Sequence, residues 1–213
     1  VPLQYPKIPN GTNCPLKQCI AFDKLDGTNI HIVWKKDKAV AFGTRRDQFP
    51  LSKSGEAEFC KAHPELGSIF DSNLILLASL SMMIRNDNRY YYDADEVILF
   101  FELFGEGSFA GNHISKIKTL YLIDAQVDGR ILPPKQFLAD FKEFEANIPK
   151  VIYRGKYSGQ FVEDVRHGKY SVNEGVVCKG EVGGKVYSCK IKTNDYMERL
   201  KSRFQKSWKD HWE

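Results

Sequence analysis

The 213-residue chain contains no apolar run approaching the ~20 residues that a membrane-spanning helix needs. Its opening, VPLQYPKIPN, has no charged stretch followed by an apolar core, so it is not read as a secretory signal. An initiator methionine is missing too, and with Val1 in first place the numbering is expected to begin inside a longer chain. No two cysteines stand in Cys-x-x-Cys spacing, and their number is odd: Cys14, Cys19, Cys60, Cys178 and Cys189. Both facts argue against a disulfide framework and a zinc site, and for reduced thiols in an intracellular protein. There is no internal repeat, no low-complexity linker and no long strand–helix alternation, which argues against a Rossmann-like fold. The one glycine-rich stretch, Gly105–Gly111, lacks the strand–turn–helix context of a phosphate loop. His31, His63, His113, His167 and His211 have no serine or cysteine partner pattern and are read as structural or surface residues.

What is present suffices for one domain. Apolar residues make up 42% and aromatics 13%, enough for a sizeable core. Thirty-one basic against 27 acidic residues leave +4, a balance that permits a polyanion partner without requiring one. Four prolines in residues 1–17 predict an irregular lead-in. Strands are expected at Ile20–Phe22, Asn29–Lys36, Ala39–Thr44, Glu96–Phe104, Leu120–Val127, Glu174–Lys179 and Lys185–Lys192. A tight turn is expected at Asp37-Lys38, and a glycine hairpin over Gly180–Gly184. Apolar spacing predicts helices over Glu56–His63, Ser72–Arg85, Pro134–Asn147 and Asn194–Lys206. Strands outnumber helices and pair through hairpins. The fold class is therefore α+β, with largely antiparallel, twisted sheets flanked by helices.

Four segments place charge in or beside apolar strands: DKLDGTN (23–29), FFELFGEG (100–107), NEGVVCKG (173–180) and SCKIKTN (188–194). Taken singly, each has an ordinary reading. Lys24 is a solvated lysine beside an Asp-Gly turn. Glu102 is a strand carboxylate that is paired or exposed at a strand end, since burying it alone is costly. Lys190 and Lys192, at i and i+2, share one face and fit a protected sheet edge.

Their order says more. Lys-x-Asp-Gly, a strand glutamate, Glu-Gly-Val-Val and Lys-x-Lys, in that sequence, resemble the covalent nucleotidyltransferases over residues 20–205. Within that superfamily the chain is most similar to the ATP-dependent RNA ligases of the phage and RNA-editing type. Asn29 directly after KLDGT, TRRDQF after the first hairpin, KIKTNDYMERLK and the opening YPKIPN carry that likeness.

The resemblance implies a nucleotidyltransferase (ATP-grasp-like ligase) domain covering 1–213, with no OB domain, as a minimal ligase or as part of a longer protein. It implies Lys24 as the nucleophile toward ATP, with Lys190 and Lys192 lowering its pKa and meeting the charge on the α-phosphate. Mg²⁺ or Mn²⁺ would be held by Asp26, Glu102 and Glu174, directly or through water. Glu102 and Glu174 also serve the ribose, and Asn29 a phosphate or metal-bound water. Gly27 lets the backbone turn close to phosphate. Tyr121 stacks on adenine, with Ile123 standing where an aromatic is common, and Val176-Val177 closes the other side. Arg45, with Arg46 as its rival, grips the 5′-phosphate end of a nicked or single-stranded RNA. A monomer acting inside the cell and away from membranes is expected. Rival readings are an mRNA capping guanylyltransferase, an ATP-dependent DNA ligase domain and a non-catalytic RNA-end-binding module. The first two usually carry a C-terminal OB domain, and five intact charged residues argue against the third.

Overall fold

The computed structural model describes residues 5–36, 38–67, 69–86, 89–105 and 117–210. The strands, in chain order, are β1 (Gln18–Asp23), β2 (Thr28–Lys35), β3 (Lys38–Thr44), β4 (Gln48–Pro50), β5 (Val97–Phe104), β6 (Thr119–Val127), β7 (Arg130–Ile131), β8 (Val151–Lys156), β9 (Gly175–Val182) and β10 (Lys185–Lys192). The helices are α1 (Lys53–Ala62), α2 (Leu74–Asn86), α3 (Arg89–Tyr92), α4 (Pro134–Asp140), α5 (Gly159–Arg166) and α6 (Asn194–Phe204). They form two compact units. Among the described residues, one unit holds 5–6, 27–105 and 117–132, and the other holds 7–26 and 133–210. The glycine-rich stretch beyond Gly105, the turn residue Asp37, and His113 and His211 lie outside the described residues. No helix among those described is long and apolar enough to cross a membrane.

The first unit is built on a six-stranded sheet ordered β4-β3-β2-β5-β6-β7, antiparallel throughout. Its central strands are buried on both faces. Consecutive residues point to opposite faces, yet Ile98 and Leu99 are both 0% exposed. This is why β5 reads as an apolar run without alternation. Burial also pushes the pKa of His31 down, so the ring sits neutral against Gln48. Helix α1 starts at its cap, Ser52, whose Oγ accepts from the Gly55 amide at 3.1 Å. Its Phe59 packs edgewise on Phe49 and against Phe42. A 3₁₀ turn, Asp71–Asn73, leads into α2. Asn73 ties it to the sheet by accepting from the Leu120 amide at 2.9 Å.

The second unit holds a four-stranded antiparallel sheet, β10-β9-β1-β8. Cys19, Ala21, Val176, Cys178, Cys189 and Ile191 form one buried face, packed on Phe161 and Val165 of α5. Strand β8 and helix α5 are not legible in the sequence: Gly155 interrupts one, and the other is only two turns long. The helix expected over 134–147 breaks at Phe141 (φ −102°, ψ 20°), and a 3₁₀ segment, Lys142–Asn147, replaces its second half. The break lets Phe141 become fully buried beside Phe137. The glycine hairpin is tighter than the five residues expected. Only Gly183 and Gly184 turn, at φ 58° and 76°, the two positive values of a type I′ connection. From Lys7 on, the lead-in carries no strand or α-helix among its described residues and docks on β10, where the Lys190 amide donates to Pro9 O at 2.9 Å.

Candidate active site

In the four-stranded unit, β1 ends at Asp23 and Lys24 follows. The Lys24 amide donates to Gly175 O at 2.9 Å, and the Thr193 amide donates to Glu174 O at 2.9 Å. The carbonyls of Glu174 and Gly175 are thus both held. Gly175 cannot be anything else: its φ is +152°, and a Cβ there would lie 2.0 Å from Ile191 O. The Glu-Gly pair is therefore a backbone requirement that places a carboxylate just before β9. That carboxylate is 3% exposed and accepts two ion pairs on one oxygen. Lys24 Nζ lies 2.9 Å from Glu174 Oε1, and Lys192 Nζ lies 3.3 Å from the same atom. Glu174 Oε2 is buried with no hydrogen-bond partner among the described residues. Burial, followed by the nearby Lys24 charge, pulls the Lys192 pKa down against the opposing pull of Glu174.

Lys190 and Lys192 share the β10 face opposite Cys189 and Ile191. Val176 belongs to the α5-side core with Ile191, so it points away from the lysine face. Val177, paired with Lys190, lies on the lysine side. The sequence offered Val176-Val177 as one wall; alternation divides the two, and only Val177 stands on the lysine side.

Asp26, also in this unit, accepts from the Tyr196 hydroxyl at 3.5 Å. Tyr196 is a residue the sequence reading did not single out. Lys192 Nζ sits 5.0 Å above its ring, and the Arg199 guanidinium lies 5.6 Å from it. Thr193 caps α6 by accepting from the Tyr196 amide, which fixes the ring directly after β10. Arg199 donates to Asn173 Oδ1 at 2.6 Å and to its carbonyl, which steadies the approach to Glu174. Asp23 was likewise not singled out. Burial, with the Glu174 carboxylate next, pushes its carboxyl up to about 6, and Lys150 opposes.

In the six-stranded unit, the other candidates stand in a row. Asn29 on β2 lies opposite Glu102 on β5, and Glu102 lies opposite Tyr121 on β6. Laterally paired residues share a face, so three candidates from distant stretches become neighbours. Asn29 donates to Phe101 O at 3.2 Å, while its own Oδ1 is buried without a partner among the described residues. Glu102 Oε1 accepts from the Gly27 amide at 3.0 Å. A Cβ on Gly27 would lie 2.3 Å from Leu103 O, so this glycine is required by its close approach to β5. The Tyr121 ring meets Phe104 edge-on. Tyr5, from the lead-in YPKIPN, donates a short hydrogen bond to Asp124 and packs on Phe100.

Arg45 and Arg46 are exposed in the turn between β3 and β4. The turn is clamped from inside. Thr44 Oγ1 donates to Asp47 Oδ1 at 2.7 Å and accepts from the Arg46 amide at 3.1 Å, and Asp47 Oδ2 meets His63 Nε2 at 2.6 Å. Burial works against the Asp47 carboxylate, but its bonds to Thr44 and His63 outweigh that and lower its pKa. The ordinary structural role expected of His63 therefore takes the form of an anchor for the arginine turn.

Among the described residues no group of three His, Cys, Asp or Glu side chains gathers as a metal site. Within the four-stranded unit the donor chemistry nonetheless suits a hard divalent cation: Glu174 Oε2 is a buried carboxylate oxygen with no hydrogen-bond partner among the described residues.

A lysine amine beside a carboxylate that a second lysine shares is the arrangement a lysyl–nucleotide chemistry needs. The RNA ligase family model matches residues 17–192, and the chain belongs to that family. No curated protein sequence matches the chain. Among solved structures, it is similar to the Naegleria gruberi RNA ligase solved with PPi, at 18% identity and a TM-score of 0.59 over 88% of this chain and 52% of that one. A point mutant of that ligase solved with ATP and Mn gives 17% and 0.61 over 94% and 59%. Another, solved with AMP and Mn, gives 18% and 0.54 over 86% and 52%. The chain thus spans 52–59% of the length of these ligases, and at such identities the likeness is one of fold.

Proposed function

We propose that the chain is the nucleotidyltransferase domain of an ATP-dependent RNA ligase that joins 5′-phosphate and 3′-hydroxyl ends through a lysyl-AMP on Lys24. The observation that carries this is the Lys24–Glu174–Lys192 cluster, in which two amines meet one buried carboxylate oxygen. Lys24 Nζ attacks the α-phosphorus of ATP. A P–N bond forms, the bond to the bridging oxygen breaks, and pyrophosphate leaves with that electron pair. The attacking amine must first lose a proton, and Glu174 Oε1 is the acceptor within reach at 2.9 Å. Lys192 and Lys190 meet the negative charge that builds on the phosphate. Tyr196 holds Lys192 in place through its ring face.

We assign Asp26, Glu102 and Glu174 to Mg²⁺ or Mn²⁺, directly or through water, and Glu102 and Glu174 also to the ribose. The ion supplies charge neutralisation at the phosphates. Asn29 is assigned to a phosphate or a metal-bound water, Tyr121 to the adenine stack and Val177 to the opposite wall. AMP then passes from Lys24 to the RNA 5′-phosphate, and the 3′-hydroxyl displaces AMP to close the phosphodiester. Arg45, with Arg46, binds the phosphate at the joint. The domain acts as a monomer in the reducing interior of a cell, which suits its free cysteines.

The test is incubation with Mg²⁺ and α-labelled ATP or GTP. Acid-labile, alkali-stable label on the wild type with ATP, absent from Lys24→Ala, is expected. No label from either nucleotide, or equal labelling of the variant, refutes the assignment; label from GTP alone makes the chain a capping enzyme. A nicked-duplex panel with RNA or DNA on the 3′ side then separates RNA from DNA ligation.

A further inference from the structure

Four of the five cysteines gather in the four-stranded unit, on the sheet face that packs against α5. Cys178 and Cys189 are directly opposite on β9 and β10, and Cys178 lies within hydrogen-bonding reach of Cys19 as well. Cys14, in the lead-in, completes the group: its sulfur is 2.7 Å from that of Cys189. That separation falls between the ~2.05 Å of an S–S bond and an ordinary non-bonded contact. The strand segment and the lead-in are already held together around the two sulfurs. The Lys190 amide donates to Pro9 O, and the Tyr157 hydroxyl donates to Gly11 O at 2.8 Å.

We propose that Cys14 and Cys189 are a redox-modification site, at which a small hydroperoxide such as hydrogen peroxide converts the thiol pair into a disulfide. Neither residue is assigned to nucleotidyl transfer. The two thiols differ in a way that suits the reaction. Cys189 is fully buried, while Cys14 is part-exposed between exposed Asn13 and Pro15 and offers the entry for an oxidant of water's size. A hydrogen bond from Cys178 brings the Cys189 thiol down to about 7 against the effect of its burial. Burial pushes Cys14 up to about 12, so it remains a thiol.

The Cys189 thiolate attacks one peroxide oxygen. An S–O bond forms, the O–O bond breaks, and hydroxide leaves and takes a proton to become water. The Cys14 sulfur then attacks the Cys189 sulfenic sulfur. An S–S bond forms, the S–O bond breaks, and the departing hydroxide takes the Cys14 proton to leave as water. In sum, two thiols and one H₂O₂ give one disulfide and two waters; the sulfurs lose two electrons and the peroxide gains them. The product ties residues 175 positions apart and staples the lead-in to the strand that carries Lys190 and Lys192.

The test treats the intact chain with hydrogen peroxide, blocks the remaining thiols, digests without reductant and maps linked peptides by mass spectrometry. Titratable thiols are expected to fall from five to three. The Cys14–Cys189 peptide should exceed every other linked pair at least tenfold, and reductant should restore all five thiols. Cys60→Ser should leave the crosslink intact, and Cys14→Ser, a change at a part-exposed position, should abolish it. A dominant Cys178–Cys189 or Cys19–Cys178 link would overturn the proposal. So would over-oxidised Cys14 without a link, or stoichiometric zinc on the purified chain that shields the four clustered thiols.

Discussion

Asp23 offers a quantitative test of how the Lys24 end of β1 is built. Its carboxyl is raised from near 3.8 to about 6, first by burial and then by Glu174. A folded-state pKa above the unfolded one means that the native state binds the extra proton. Stability is therefore present below the unfolded value and is lost as pH rises from about 4 to about 6. At about 1.36 kcal/mol per tenfold, the gap corresponds to about 3 kcal/mol. Asp23 is only part-buried, and solvent screening on its open side brings the expected cost to ~1–2 kcal/mol. Asp23→Asn removes the titrating charge and keeps the shape. In urea unfolding, with chelator and without nucleotide, the variant should be more stable than wild type by ~1–2 kcal/mol at pH 8. At pH 4 the gain should shrink to under about a third of that, because the native carboxyl is already protonated. A pH-independent gain, or a loss at pH 8, would refute the reasoning.

Three further outcomes follow from the geometry. Gly175→Ala puts a Cβ 2.0 Å from Ile191 O at a positive φ, so it should cost more than about 2 kcal/mol, read as a lowered denaturation midpoint. Tyr196→Phe keeps the ring under Lys192 and should adenylylate nearly as wild type does. Tyr196→Leu removes the ring and should lose about tenfold in adenylylation rate, the worth of a desolvated cation–π contact; equal loss in both variants would shift the role to the Asp26 hydrogen bond. Asp47→Ala and His63→Ala release the Arg45–Arg46 turn, so both should raise the KM for RNA ends several-fold while leaving adenylylation by ATP unchanged.

The hairpin β9–β10 was legible because glycines flank two strands of clear character, and Lys190 and Lys192 could be put on one face from their spacing alone. The face that Val176 takes was not legible. It depends on pairing with Ile191 and on α5, a helix too short to announce itself. The expected helix over 134–147 overran because periodicity continues past Phe141, while the backbone turns there to bury that ring. Tyr196 escaped notice because a tyrosine on an amphipathic helix is ordinary until Lys192 is found above it. The anchoring role of His63 was hidden for the same reason: its partner is 16 residues away in a turn of no marked pattern.

By itself, the order of charged residues along the chain determined the family and pointed to Lys24, because covalent nucleotidyl chemistry needs those residue types in a set that chance seldom orders. Their local surroundings were left to the tertiary structure. Register aligns Asn29, Glu102 and Tyr121 across three strands, and a Cβ-free approach at Gly175 lets Glu174 receive both Lys24 and Lys192. Docking of the lead-in on β10 brings Cys14 to Cys189 across 175 positions. These contacts arise between residues far apart in the chain, where spacing carries no information and only the packed backbone sets the distance.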